Sequence, residues 1–269
     1  MSRPSPADSS TAAPPDPALT GGTALARRRL GVWAIVFFVI SAAAPLTVVA
    51  SAAPTDFRLA GIGGPGAMLA SGVVLMLFAV GFTAMSRYVR NAGAFYIYGA
   101  KGLGKPVGIG IVFVTIFSYA ALCICFYGFV GFFGEMTFDA LFGIKLPWTV
   151  YALIAFLAVG ILGYRKIDVG AKVLAVLLTA EVAILLVLAI GVLAQGGPEP
   201  ISFAAFAPQN VFFAAGSGAL FVFGFGAYLG FESTAIYTEE AIRPARTVPM
   251  ATYIAIAFLG VFYAFTFWI

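Results

Sequence analysis

The stretch Gly218–Ala235 reads GALFVFGFGAYLGFESTA. It is apolar enough for a membrane helix, yet Gly224, Gly226 and Gly230 fall close together and a carboxylate, Glu232, follows at once. Each interior glycine weakens a helix by roughly 0.5–1 kcal/mol relative to alanine. Gly226 and Gly230 also form a GxxxG pair, the plain sign of close helix packing. Packing alone leaves Glu232 unexplained, because an acid at membrane depth needs a purpose or a partner. The stretch therefore reads as a helix weakened where it carries a buried acid.

A second stretch pairs with it. Ser41–Ser51 reads SAAAPLTVVAS, with Pro45 near the middle of an apolar run. Proline removes a backbone donor and clashes with the preceding turn. Membrane helices tolerate such kinks, so from these residues alone a kink and a functional break both stand. The positions carry the argument. The first stretch lies in the sixth apolar run of the chain and the second in the first. Interrupted helices at corresponding places in two five-helix sets are the sequence sign of a secondary-transporter site. A broken helix exposes N–H groups on one half and C=O groups on the other. Together they match the two ends of a zwitterionic amino acid.

The runs themselves follow from composition. The chain has 269 residues, 62% hydrophobic and 10% charged, against about half and a quarter in soluble domains. Lipid must cover the excess, so the lipid bilayer is a partner. Seven segments approach the roughly 20 residues needed to span it: 31–53, 66–85, 107–133, 147–164, 173–193, 214–238 and 251–269. With the tail inside, thirteen of the fifteen Lys and Arg residues lie on the cytoplasmic side; only Arg58 and Lys145 lie outside. The positive-inside rule then sets a cytoplasmic N-terminus in the cell (plasma or inner) membrane. Four regions are expected: a disordered cytoplasmic tail (1–26), a first five-helix repeat (27–195), an extracellular loop (196–213) and the start of a second repeat (214–269). The last run is still apolar at Ile269, so the expectation is the N-terminal portion of a longer protein.

The net charge of +4 is not a nucleic-acid signal, because no basic stripe with interleaved aromatics accompanies it. With no histidine, imidazole chemistry and His-based metal sites are excluded. No nucleophile–base pair has useful spacing, so the chain does not read as an enzyme, and no cofactor or metal is expected. Cys123 and Cys125 are two residues apart on a helix and point apart, which argues against a disulfide between them.

Glu181 lies about 12 Å into the fifth run, with no Lys or Arg within a turn or two. Such acids mark proton relays; a neutral acid bonded to a neighbouring helix is the alternative. Glu232 reads as gate, proton site or brace. Glu239, Glu240, Arg243 and Arg246 read as a charge network or a solvated loop, and Pro244 and Pro249 as the close of one helix and the start of the next. Ser118 and Tyr119 are polar at membrane depth in the third run, as pocket wall or as helix–helix bonds.

GFESTAIYTEEAIRPARTVP (Gly230–Pro249) resembles the sixth-helix signature of the amino acid–polyamine–organocation superfamily. NAGAFYIYGAKGLGKPVG (Asn91–Gly108) resembles the loop leading into that family's third helix, and SAAAPLT the first-helix break of one of its permease branches. The resemblance runs from about Arg28 to the end. It implies an all-α polytopic membrane protein of leucine-transporter-like inverted-repeat fold, with the first five-helix repeat plus helices six and seven of the second. It places Ala43, Ala44 and Leu46 in the break of helix one. Gly226, Ala227, Tyr228 and Leu229 fall in the break of helix six, and Ser118 and Tyr119 on the wall from helix three. Glu232 matches an acid that gates in some relatives, and Glu181 stands at or near a helix-five lysine of some proton-coupled ones. The implied function is a secondary transporter (permease) for amino acids or related amines, coupled to a proton, with sodium as the other candidate ion. A gradient-independent exchanger and a non-transporting membrane sensor or subunit are the alternatives. Two departures stand out. An alanine run with Pro45 replaces a Gly-Ser-Gly break, and Pro45 has no N–H to offer a carboxylate. Glu181 carries no positive charge to replace that of the lysine.

Overall fold

A computed structural model describes residues 30–89, 93–164, 167–196 and 201–269. The tail (1–26), Arg27–Arg29, Arg90, Asn91 and the Arg165–Lys166 pair lie outside the described residues. The described chain is helical, without a strand. In order come α1 (Val32–Ala43), α2 (Pro45–Ala60), α3 (Gly64–Tyr88), α4 (Ala94–Leu103), α5 (Lys105–Phe142) and α6 (Trp148–Tyr164). Then follow α7 (Ile167–Gln195), α8 (Pro208–Phe212), α9 (Ser217–Gly226), α10 (Ser233–Ile236) and α11 (Pro244–Trp268).

By length and composition four helical stretches suffice to cross a membrane: Val32–Ser86, Lys105–Phe142, Val173–Gln195 and Pro244–Trp268. The first contains α1, α2 and most of α3. The shorter apolar helices Trp148–Tyr164 and Ser217–Gly226 cover two more of the expected runs. The chain is thus an all-α, multi-pass membrane protein. Its surface agrees. No charged residue occurs in α5 from Pro106 to Gly134, and Phe117 and Ile124 there are 77% and 73% exposed. Water does not tolerate so broad an apolar face.

The core forms where small residues let helices approach. α11 is the most enclosed long helix, burying Val248, Ala255, Ile256, Leu259 and Tyr263 against α3 and α1. Gly72 of α3 and Gly260 of α11 leave room for the Tyr228 hydroxyl; a Cβ at either would stand 2.5 or 2.9 Å from it. That hydroxyl donates to the Met68 carbonyl at 2.8 Å. Near the start of α1, Leu30 bridges to Ala241 in parallel. Its N–H donates to Glu240 O and its carbonyl accepts from Ile242 N, both at 3.0 Å. The entry of the first run is thereby tied to the exit of the sixth.

Runs one and six are each interrupted, as their proline and glycines lead one to expect. Other expectations change. α5 continues nine residues past the expected Phe133 and ends at Gly143, whose left-handed backbone (φ 66°) turns its N–H back to Asp139 O; in that extension Glu135 accepts from the Trp148 N–H at the start of α6 at 2.9 Å. Pro249 does not start a helix. Pro244 does, where a missing N–H is harmless, and Pro249 sits buried inside α11. Glu239, Glu240, Arg243 and Arg246 are exposed, at the end of a 3-10 turn and around the start of α11, and among the described residues no ion pair joins them. The region expected as loop 196–213 holds a 3-10 turn (Phe203–Phe206) and α8, pinned by Asn210 Nδ2 to Ala204 O at 2.8 Å.

Candidate functional site

The break of the first run is one residue wide. Pro45 cannot supply the N–H that Ser41 O would take in a continuous helix. The Ala44 N–H supplies it instead, through a tighter 3.3 Å bond. Doing so turns Ala44 to φ 45°, ψ 67°, the left-handed region that costs an L-residue roughly 1–2 kcal/mol. Ala44 is the one non-glycine residue with positive φ among those described. Proline then opens α2 at its favoured first position, so the kink and the break are one event. An Ala44→Gly chain is expected to melt no lower than the parent, and Ala44→Val well below it, because a β-branched residue is an outlier at such φ. Thermal unfolding in detergent checks both.

The sixth run breaks over a longer stretch. α9 ends at Gly226, and turns carry the chain to α10 at Ser233. Most N–H groups here find near carbonyls: Tyr228 to Phe225, Leu229 to Gly226, Phe231 to Tyr228. Gly230 turns to φ 109°, and its N–H goes to Glu232 Oε2 at 2.9 Å. The other Glu232 oxygen accepts from the Tyr119 hydroxyl of α5. Glu232 is 7% exposed, and its two bonds tie the broken helix to α5.

The two breaks touch. A Cβ on Gly230 would lie 2.9 Å from Ala42 Cβ and 3.4 Å from Ala43 N. Beside this contact is a cavity of about 420 Å³, bordered by Ala43, Tyr119, Gly226, Ala227 and Leu229 among others. A second cavity of about 610 Å³ reaches from Gly93 along α5 and is bordered by Ser118, Tyr119, Leu229 and Glu232. Tyr119, Leu122, Leu229 and Ile236 border both and so form the partition between them.

Ala44, Leu46, Tyr228 and Glu181 border neither cavity. The Tyr228 ring is enclosed in the core, edge-on to Tyr263, so only its backbone belongs to the break. The Glu181 carboxyl lies instead near the Leu46 backbone N–H. Glu181 therefore stands at the positive end of α2, where an acid is favoured. Tyr263 of α11 donates to Ala43 O at 3.3 Å, giving a partner to a carbonyl that the broken helix leaves over.

The sequence reading passed over three features. Asp56 is fully buried with neither carboxylate oxygen bonded; it falls past the expected end of the first run at residue 53, yet α2 continues to Ala60. Cys123 and Cys125, both free, border the 420 Å³ cavity, which is wide enough to meet both sides of that turn. Tyr263 gave no signal in an apolar run. Among the described residues no group of acids and cysteines is placed to hold a metal ion.

Neither the curated proteins nor the solved structures return a match. A family does. The model of the family described as "Amino acid permease", within the amino acid–polyamine–organocation superfamily, matches residues 30–267. That span includes both breaks, both cavities and the partition, and it identifies a transporter rather than an enzyme. The chain belongs to the amino acid permease family.

Proposed function

We propose that the chain is a secondary active transporter for amino acids or related amines, holding its substrate at the breaks of helices one and six. The observation that supports this most is the contact of the two breaks at Gly230 and Ala42, with the 420 Å³ cavity beside it. Cavities of about 300–1,000 Å³ are usual for small ligands. Thr47 stands near the start of α2 and borders the cavity, where first-turn N–H groups suit a carboxylate. The fold in this reading is leucine-transporter-like: a first five-helix repeat (27–195) followed by helices six and seven of an inverted second repeat, with the N-terminus cytoplasmic in the cell membrane. Ala43, Ala44, Leu46, Ser118, Tyr119 and the segment Gly226–Leu229 form or shape the site. The Tyr119–Glu232 bond, in the partition between the cavities, is the gate.

Coupling is to a proton carried by Glu181, whose carboxyl contacts the half-helix that holds the substrate carboxylate. Protonation there changes the charge at the α2 terminus. Glu181→Gln is expected to keep substrate counterflow and to lose the rise in uptake when the outside is acidified. Reconstituted vesicles with an imposed pH gradient measure both. The Leu46 contact also favours a second reading, in which Glu181 only caps α2 and the protein exchanges substrates without a gradient. Uptake whose pH response is the same in Glu181→Gln selects that reading.

A further inference from the structure

The cavity at the two breaks carries information about the substrate's side chain as well as its zwitterionic head. No Asp, Glu, Lys or Arg borders it among the described residues. Its wall is largely hydrocarbon: Val48, Leu122, Phe126, Phe129, Val222 and Phe223. Several of its polar groups already have partners. The Ser51 hydroxyl donates to Thr47 O at 2.6 Å and the Ser233 hydroxyl to Gly230 O at 2.6 Å. The Tyr119 hydroxyl donates to Glu232. A charged side chain placed against this wall loses water and gains no counter-charge, which is the costly case for burial. An apolar or aromatic side chain loses only ordered water and gains dispersion contacts.

We infer that this site selects amino acids with neutral, apolar side chains, of the size of leucine to phenylalanine, and rejects basic and acidic ones. The inference rests on the transporter reading above, and narrows it to a substrate class. The glycine at Gly226 contributes: a Cβ there meets nothing within 4 Å, so that part of the wall is open for a bulky group.

Cys123 and Cys125 border the same cavity and both are free and exposed, so the unmodified protein carries its own reporter. The purified chain is treated with N-ethylmaleimide in the presence of leucine, phenylalanine, arginine or glutamate, and alkylation is followed at each cysteine by mass spectrometry. Leucine and phenylalanine are expected to slow alkylation, at concentrations about tenfold or more below those at which arginine or glutamate do so. Protection by arginine or glutamate at equal or lower concentration overturns the proposed class and leaves the transporter reading intact. Protection by none of the four, joined with no uptake of any of them into vesicles, overturns both. Protection by none with uptake intact places the substrate elsewhere and overturns this inference alone.

Discussion

Gly230→Ala is expected to abolish uptake and to lower stability markedly. Two independent costs coincide at this residue. Its φ of 109° lies where an alanine is strained, at about 1–3 kcal/mol for such backbone. Its new Cβ would stand 2.9 Å from Ala42 Cβ, an overlap of the kind that costs about 1–3 kcal/mol in packed interiors. Relief is available only by parting the two breaks, which opens the wall of the cavity. Gly226→Ala is the matched control: no atom lies within 4 Å of its Cβ and its backbone is ordinary helix. That variant is expected to fold as well as the parent. Thermal midpoint and uptake, measured on both, separate the role of Gly230 from a general intolerance of the segment. Equal behaviour of the two variants contradicts the geometry.

Tyr119→Phe is expected to leave substrate binding largely intact while accumulation collapses. The hydroxyl gives one of the two hydrogen bonds that Glu232 accepts, the Gly230 N–H giving the other. Its loss leaves a buried carboxylate oxygen without a donor, a cost of about 1–3 kcal/mol. In the proposed gate the same bond holds Tyr119, which borders both the 420 and the 610 Å³ cavity, so its loss is expected to let substrate leak. Glu232→Gln also weakens the tie, since an amide has one acceptor where the carboxylate has two. The double variant should lose less than the sum of the singles, as contacting groups do by about 0.5–3 kcal/mol. Strict additivity in a double-mutant cycle would show that the two side chains act separately.

Both breaks were legible in the sequence because each has a local cause. Pro45 lacks an N–H, and the Gly224–Gly230 cluster lacks helix strength. Local causes survive without tertiary knowledge. Ala44 is a case of what does not: nothing in an alanine announces a left-handed backbone, which arises because Ser41 O needs a donor and Ala44 is next in line. Side-chain direction is not legible where neighbours in space decide it. Tyr228 has the right sequence position for the site, but Gly72 and Gly260, from two other helices, draw its ring into the core. Leu46 N–H faces Glu181 across 135 residues of chain, a pairing no periodicity reveals. Asp56 shows the limit of hydropathy: a buried acid and a loop acid score alike. The extension of α5 past Phe133 fails for the same reason, since Glu135 and Asp139 end an apolar run without ending a helix.

The central claim is that the cavity beside the touching breaks is where the transported amino acid sits. Gly226→Phe tests it most directly, because Gly226 borders the cavity and a Cβ there meets nothing within 4 Å, so a bulky side chain is expected to compete with substrate for that space. Uptake of labelled leucine into vesicles is the measurement, with thermal midpoint as the folding control. An unchanged midpoint with uptake lost is the predicted result; an unchanged midpoint with uptake equal to the parent's contradicts the account.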